Sequence, residues 1–415
     1  MSVGSVRTYR ELFGIGEFRR LFGVTCTRSV GGTMEGIALA TLIYGRTNSP
    51  LLSALSMFGP SAAQVLGATT LLSWVDRVRP RAALVVAGSA YTVVALLLAV
   101  PRPTWWLLTV ALISGLIGTI GGGVQWGLVR EIVPASGYVL ARSTFTVAAG
   151  LTQILGFGVG GVLVNIIGSR DTFLIAAAMF AWSAVTARIG LDDRPRRRDE
   201  KASVRTTMRD NLVLLGTPER LSLYVMLWVP NGLIVGCEAL FIPYAPHRAG
   251  VLLSAAALGM LSGDVLVARI LTPRAQGRSA GLLRLVLAAP YLLFALHLPL
   301  LIASFAVALA SIGYAAGLLL QQRLLALVGD EMAGHALGLH SSGMLSMQAV
   351  AAVLAGSLAE VVAPATAMVL LATASIAVTL AMASRLRAGD QWIAASGGRG
   401  RRSLSGQTPT DSRKR

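Results

Sequence analysis

Long apolar runs recur along this chain, each near the ~20 residues that a helix needs to cross a ~30 Å hydrocarbon layer. Broken at charges, prolines and glycine clusters, they fall into twelve segments: 20–44, 51–74, 82–100, 104–128, 138–166, 172–190, 222–245, 250–271, 281–297, 300–322, 334–359 and 364–384. Lipid satisfies no backbone N–H or C=O, so such a segment must satisfy its own, which a helix does. Only 13% of the residues are charged, against roughly a quarter in soluble domains, too few to cover a water-facing surface. The sequence therefore predicts an all-α membrane protein with twelve transmembrane helices. Pro299, just after His297, divides the ninth segment from the tenth, because the residue before a proline is pushed out of the helical region.

Basic residues give the orientation. Cytoplasmic loops of membrane proteins are enriched in Lys and Arg. With the N-terminus inside, 31 of the 36 Lys and Arg fall on the inner side, including those of 188–220, 269–284 and the C-terminal tail. The outer loops hold Arg46, Arg102, Arg170 and Arg248, and Arg28 lies within the first segment. Omitting one helix would invert every later loop, so the alternation supports the count of twelve. It predicts a plasma-membrane protein with both termini cytoplasmic.

The one long polar interruption, 191–220, is rich in arginine and divides the segments six and six. We read 1–190 as one six-helix bundle, 191–220 as a basic cytoplasmic linker, 221–386 as the second bundle and 387–415 as a disordered basic tail. The first twenty residues lack the apolar core and cleavage site of a signal peptide, so this end is expected to be retained. The formal charge of +17 then reports topology and not nucleic-acid binding. No CxxC, HExxH, GxSxG or P-loop pattern occurs, and Cys26, Cys237 and the four histidines show no metal-ligand spacing. An enzyme, a resident metal and an organic cofactor are therefore not expected.

Six segments either side of a basic loop, with Phe18–Phe22 (FRRLF) and Ser29–Thr33 (SVGGT) at the first, resemble the major facilitator superfamily. Asp76, Arg77 and Arg81 resemble the acidic-then-basic loop between its second and third helices, with Leu72 where a glycine is usual. Gly156, Gly158, Gly160 and Gly161 resemble the glycine element of its antiporter-type exporters, with Phe157 where a proline is usual. The second half resembles actinobacterial efflux members in Ala239–Ala245, Gly250–Gly259 and the run ending at Glu360. No basic residue lies between Arg102 and Arg130, so the fourth-helix arginine of proton-coupled drug exporters is absent. The resemblance implies two pseudo-symmetric six-helix bundles and a secondary active transporter. Its implied activity is proton-coupled efflux of a small amphipathic compound by a monomer, with the proton gradient as energy source. Two alternatives stay open: an importer or facilitator of a small metabolite, and a receptor or lipid-handling protein with no transport cycle.

Ionisable groups at membrane depth are costly unless paired, neutral or facing water, so each is a functional candidate. Glu35, near the centre of the first segment, is the candidate proton-coupling residue. Arg28 lies two turns earlier on the same face, ~10 Å away along the axis. Glu238 and Asn231 share a face of the seventh segment, and Gln125 and Trp126 in the fourth are candidate ligand contacts. Asp264, with Asp76, Arg77 and Arg81, is a candidate for a cytoplasmic gate. The four glycines of the fifth segment are candidates for close helix packing.

Overall fold

The computed structural model describes residues 6–70, 78–195, 204–270 and 273–382. Asp76, Arg77 and the tail lie outside them. The described chain is helical throughout its apolar segments. We number the long helices α1 (Gly16–Thr47), α2 (Pro50–Thr70), α3 (Pro80–Ala99), α4 (Thr104–Ile132), α5 (138–167) and α6 (169–190). After the linker come α7 (Pro218–Ala239), α8 (Ala249–Ile270), α9 (Pro273–Ala288), α10 (300–327), α11 (Asp330–Ala359) and α12 (Pro364–Met382). A 3-10 stretch, Ala289–Leu296, extends α9. Twelve helices in two sets of six is the architecture expected from the apolar runs.

Local chemistry sets the boundaries. Pro80 and Pro218 open their helices at the first position, where a missing N–H leaves nothing unsatisfied. Asn48 and His297 end α1 and the α9 extension in left-handed conformations. Gly168 turns the chain between α5 and α6 with φ 83° and ψ 168°, a region open essentially to glycine alone. Ahead of α1, Thr8 and Glu11 form a reciprocal capping box on the short helix Tyr9–Gly14.

Side chains divide as lipid demands. Ile166, Ile189, Leu301 and Phe305 are each more than 70% exposed, which water would penalise and hydrocarbon tails would not. Between helices, small residues permit close approach. A methyl group on Gly88 of α3 would lie 2.9 Å from the Ala184 Cβ of α6. The glycines of α5 serve two partners. Gly156 and Gly160 face Thr33, Met34 and Ile37 of α1, whereas Gly158 and Gly161 face Ser254 and Gly250 of α8.

That second set joins the two halves, and it does so away from the linker. We call the membrane side bearing the linker the linker end, and the other the far end. At the far end Ile37 and Ala40 of α1 enter the apolar core of the second half beside Leu252 and Leu253. Gly356 of α11 meets the Leu51 backbone of α2. Asn165 donates to the His247 carbonyl at 2.8 Å. At the linker end the apolar clusters belong to one half each: Phe18, Leu21, Leu128 and Phe145 on one side, Tyr224, Leu227, Leu320 and Leu324 on the other.

One assignment made from the sequence is corrected. Arg284 was counted with the basic loop 269–284, but it lies within α9 with its side chain fully buried. The apolar run begins just before it, and a basic residue at such an edge reads from sequence as a loop anchor.

Candidate functional site

An open cavity of about 550 Å³ is lined by α1, α3, α4, α5 and α6 in the first half. Helical spacing places Thr25, Ser29, Gly32 and Thr33 of α1 on its wall together with Arg28. Gln125 and Trp126 of α4 line it as well, joined by Phe145 and Thr152 of α5, Tyr91 of α3 and Phe180 of α6. Two aromatic pairs stand on its wall. Tyr91 stacks on Phe180 at 5.2 Å, and Trp126 meets Phe145 edge-on at 5.9 Å. The Ser29 and Thr152 hydroxyls share a 2.8 Å hydrogen bond across the wall, tying α1 to α5.

Glu35 lies deeper in α1, about two turns beyond Arg28. It is 7% exposed and its Oε2 has no hydrogen-bond partner. The Tyr91 hydroxyl interacts with the Arg28 guanidinium and, electrostatically, with Glu35. Tyr91 is thus within electrostatic reach of both groups, and Glu35 itself is not among the described lining residues. Of the candidates singled out from the sequence, Arg28, Gln125 and Trp126 line the cavity, whereas Glu35 lies about two turns further along α1, outside its lining. Sequence reasoning missed Tyr91, Phe145 and Phe180, because an aromatic in an apolar run carries no mark of which way it faces.

The candidates in the second half occupy a separate place. Glu238, partly buried near the far end of α7, accepts a 2.9 Å hydrogen bond from the Tyr314 hydroxyl of α10. Tyr291 lies within electrostatic reach of the same carboxylate, and its hydroxyl has no partner. Arg284 lies within electrostatic reach of Tyr314 and of His340 of α11. One guanidinium nitrogen reaches the Leu227 carbonyl at 3.5 Å, and Nε and Nη1 find no acceptor. Asn231 is buried with its Oδ1 also unpaired. Neither Asn231 nor Glu238 lines the cavity of the first half.

At the linker end the ion pairs seen among the described residues join the first half to the start of the linker. Asp193, just past α6, pairs with Arg79 at 2.5 Å and Arg81 at 3.4 Å. Arg194 forms a bidentate pair with Glu17 and reaches Glu131 at 3.3 Å. Burial opposes ionisation of Glu17, but the Arg194 guanidinium and the Asp192 N–H outweigh it and hold the carboxyl below its usual value of 4.5. Arg81, a candidate for a cytoplasmic gate, is engaged by Asp193 at the start of the linker in this structure. Asp264 of α8 is partly buried and forms no ion pair among the described residues. No cluster of His, Cys, Asp or Glu suited to a metal occurs among them either.

Solved structures with this fold are membrane transporters. A POT family transporter in complex with 5-aminolevulinic acid superposes with a TM-score of 0.72 at 12% identity, covering 92% of this chain and 98% of that one. A bacterial homologue of the human lysosomal transporter Spinster, in an inward-facing and occupied conformation, gives 0.69 at 14% identity, covering 93% and 98%. The human organic anion transporter MFSD10 (TETRAN) gives 0.63 at 16% identity, covering 88% and 99%. Among curated proteins no sequence matches significantly. The family model for the Major Facilitator Superfamily matches residues 21–344, well over half of the chain, and the protein belongs to that superfamily of multi-pass membrane transporters.

Proposed function

We propose that the protein is a proton-coupled exporter of a small amphipathic compound, working as a monomer by alternating access in the plasma membrane. The linker end is cytoplasmic in this reading, as the distribution of basic residues suggests. The observation that carries it is Glu35, buried in α1 without a hydrogen bond at Oε2, on the helix that presents Arg28 to the cavity wall. A carboxylate at this depth is tolerable when it carries a proton or a counter-charge, so its protonation and the occupancy of the cavity are linked. Contact between the halves at the far end describes one of the two states that alternating access requires, with the site near mid-membrane. The gradient supplies the energy, and no organic cofactor enters.

The test is transport in inside-out vesicles under an imposed pH gradient. Glu35→Gln should lose gradient-driven accumulation while retaining exchange of labelled for unlabelled substrate. Gradient-driven transport equal to wild type in Glu35→Gln would remove Glu35 as the coupling group. A second reading, an importer or facilitator, is favoured by a cavity wall bearing Arg28 without a facing carboxylate. Counterflow that needs no pH gradient in the unmodified protein would select it.

A further inference from the structure

We infer that the cargo of the cavity is an amphipathic organic anion, with its charged group on Arg28 and its apolar body against Trp126, Phe145 and Phe180. The inference rests on the cavity being the transport site and specifies what that site accepts. Among the described residues of the lining Arg28 is the charged one, and none of them is an Asp or Glu. Of the other polar contributors, the Tyr91 phenol and the Gln125 amide can donate to an anion, whereas the hydroxyls of Thr25, Thr33, Thr146 and Thr152 already donate to carbonyls of their own helices and Ser29 pairs with Thr152. Arg28 forms no ion pair among the described residues, and Glu35, two turns deeper, is too far along the axis for one. A guanidinium presents five N–H donors in a fork that matches carboxylate or sulfonate geometry. Contact with one tyrosine hydroxyl leaves most of them for a guest.

A cationic cargo fits poorly. It would meet Arg28 on a wall of low polarity, where like charges repel strongly, with no acidic side chain among the described lining residues to compensate. A neutral cargo would leave the guanidinium without a partner each time the cavity closed, which a desolvated charge tolerates badly. A second cation points the same way. Arg142, exposed on α5, lies over the ring of the lining residue Trp126 at 5.9 Å from its centroid and adds positive potential beside the cavity. The volume, about 550 Å³, falls in the range that takes a drug-sized molecule. Four aromatic rings around it favour a ringed apolar body.

Two naphthalene probes of equal size and opposite charge test this: naphthalene-1-sulfonate and (1-naphthylmethyl)trimethylammonium. Binding to the purified full-length protein is read as saturable quenching of tryptophan fluorescence, with Trp126→Phe identifying the reporter. The sulfonate should bind at least tenfold more tightly than the ammonium. Arg28→Gln should weaken the sulfonate at least tenfold, and Arg28→Lys should recover part of the loss. An unchanged melting temperature in both variants establishes that they fold. Equal or tighter binding of the ammonium overturns the inference, as does sulfonate binding indifferent to Arg28→Gln. Proteoliposomes separate this from the transport reading. Arg28-dependent sulfonate binding without movement across the membrane supports the anion site and removes the exporter. Transport of the ammonium with sulfonate binding indifferent to Arg28 keeps the transporter and overturns the anion site.

Discussion

The carboxylate of Glu360, at the end of α11, accepts hydrogen bonds from the Ser49 hydroxyl at 2.5 Å and the Leu51 N–H at 3.2 Å at the start of α2. A side chain of one half thereby caps a helix N-terminus of the other, where free N–H groups and the helix dipole favour an anion. Separating the halves at the far end has to break this cap. Glu360→Ala should remove ~1 kcal/mol of closure, a several-fold shift in population. A cysteine at the buried position Ser53, with Cys26 and Cys237 replaced by alanine, reports it through a membrane-impermeant maleimide. Labelling should be about fivefold faster in Glu360→Ala, following the same ~1 kcal/mol. An unchanged rate would show that the cap does not hold the far end shut.

The approach of α5 to α8 gives a second prediction. A methyl group on Gly250 would lie 2.7 Å from the Phe157 carbonyl oxygen and 2.9 Å from the Gly161 Cα. Both neighbours are backbone and cannot rotate away. Gly250→Ala should therefore part the two helices at a cost of roughly 1–3 kcal/mol to this state. Gly23 of α1 has open space around it, and Gly23→Ala should stabilise by up to ~1 kcal/mol through helix propensity alone. Opposite shifts of melting temperature in detergent confirm the contrast. A stabilising effect at both positions would mean that the helices part freely.

The parts legible in the sequence are those that depend on one dimension. Helix length, the Gly168 break and the division around the linker follow from apolar runs and breakers. The placement of Arg28 and Glu35 on one face of α1 follows from helical spacing alone. Depth is harder. Arg284 stands at the edge of an apolar run, so the same residue reads as a loop anchor or as a buried charge until the packing of α7, α10 and α11 around it is known. Tyr314 as the partner of Glu238 is 76 residues away, and no local pattern announces such a pair. For Arg81, a gate candidate, the partner is Asp193 of the linker, whose fold-back has no periodic signature.

That fold-back carries a pH dependence. Glu17 is held below its ordinary 4.5 by Arg194 and the Asp192 N–H against the opposing effect of burial. A carboxyl with a depressed folded value contributes fully above its unfolded value and loses the contribution as pH falls through the folded one. The start of the linker should accordingly stay docked at neutral pH and come free below about pH 4.5. A nitroxide at Pro195→Cys reads this as line narrowing in the acid range. In Glu17→Gln the label should be mobile at every pH. Acid narrowing that persists unchanged in Glu17→Gln would assign the transition to another group.

The last prediction concerns Arg284 and Glu238, opposite charges inside one bundle that form no ion pair with each other: Tyr314 donates to Glu238 and lies within electrostatic reach of Arg284. If the two charges support each other through that tyrosine, removing one strands the other, whereas replacing both with groups of similar size is often neutral. Arg284→Leu should leave Glu238 with the Tyr314 hydrogen bond as its main support. Glu238→Gln should leave a guanidinium whose Nε and Nη1 already lack acceptors. Each single variant should melt well below the wild type, and Arg284→Leu with Glu238→Gln should melt above at least one of them. The expected coupling is ~0.5–3 kcal/mol, the range for residues sharing one network. Strictly additive losses would show that the two charges act independently, with Arg284 held by the Leu227 carbonyl and its surroundings in α11 instead.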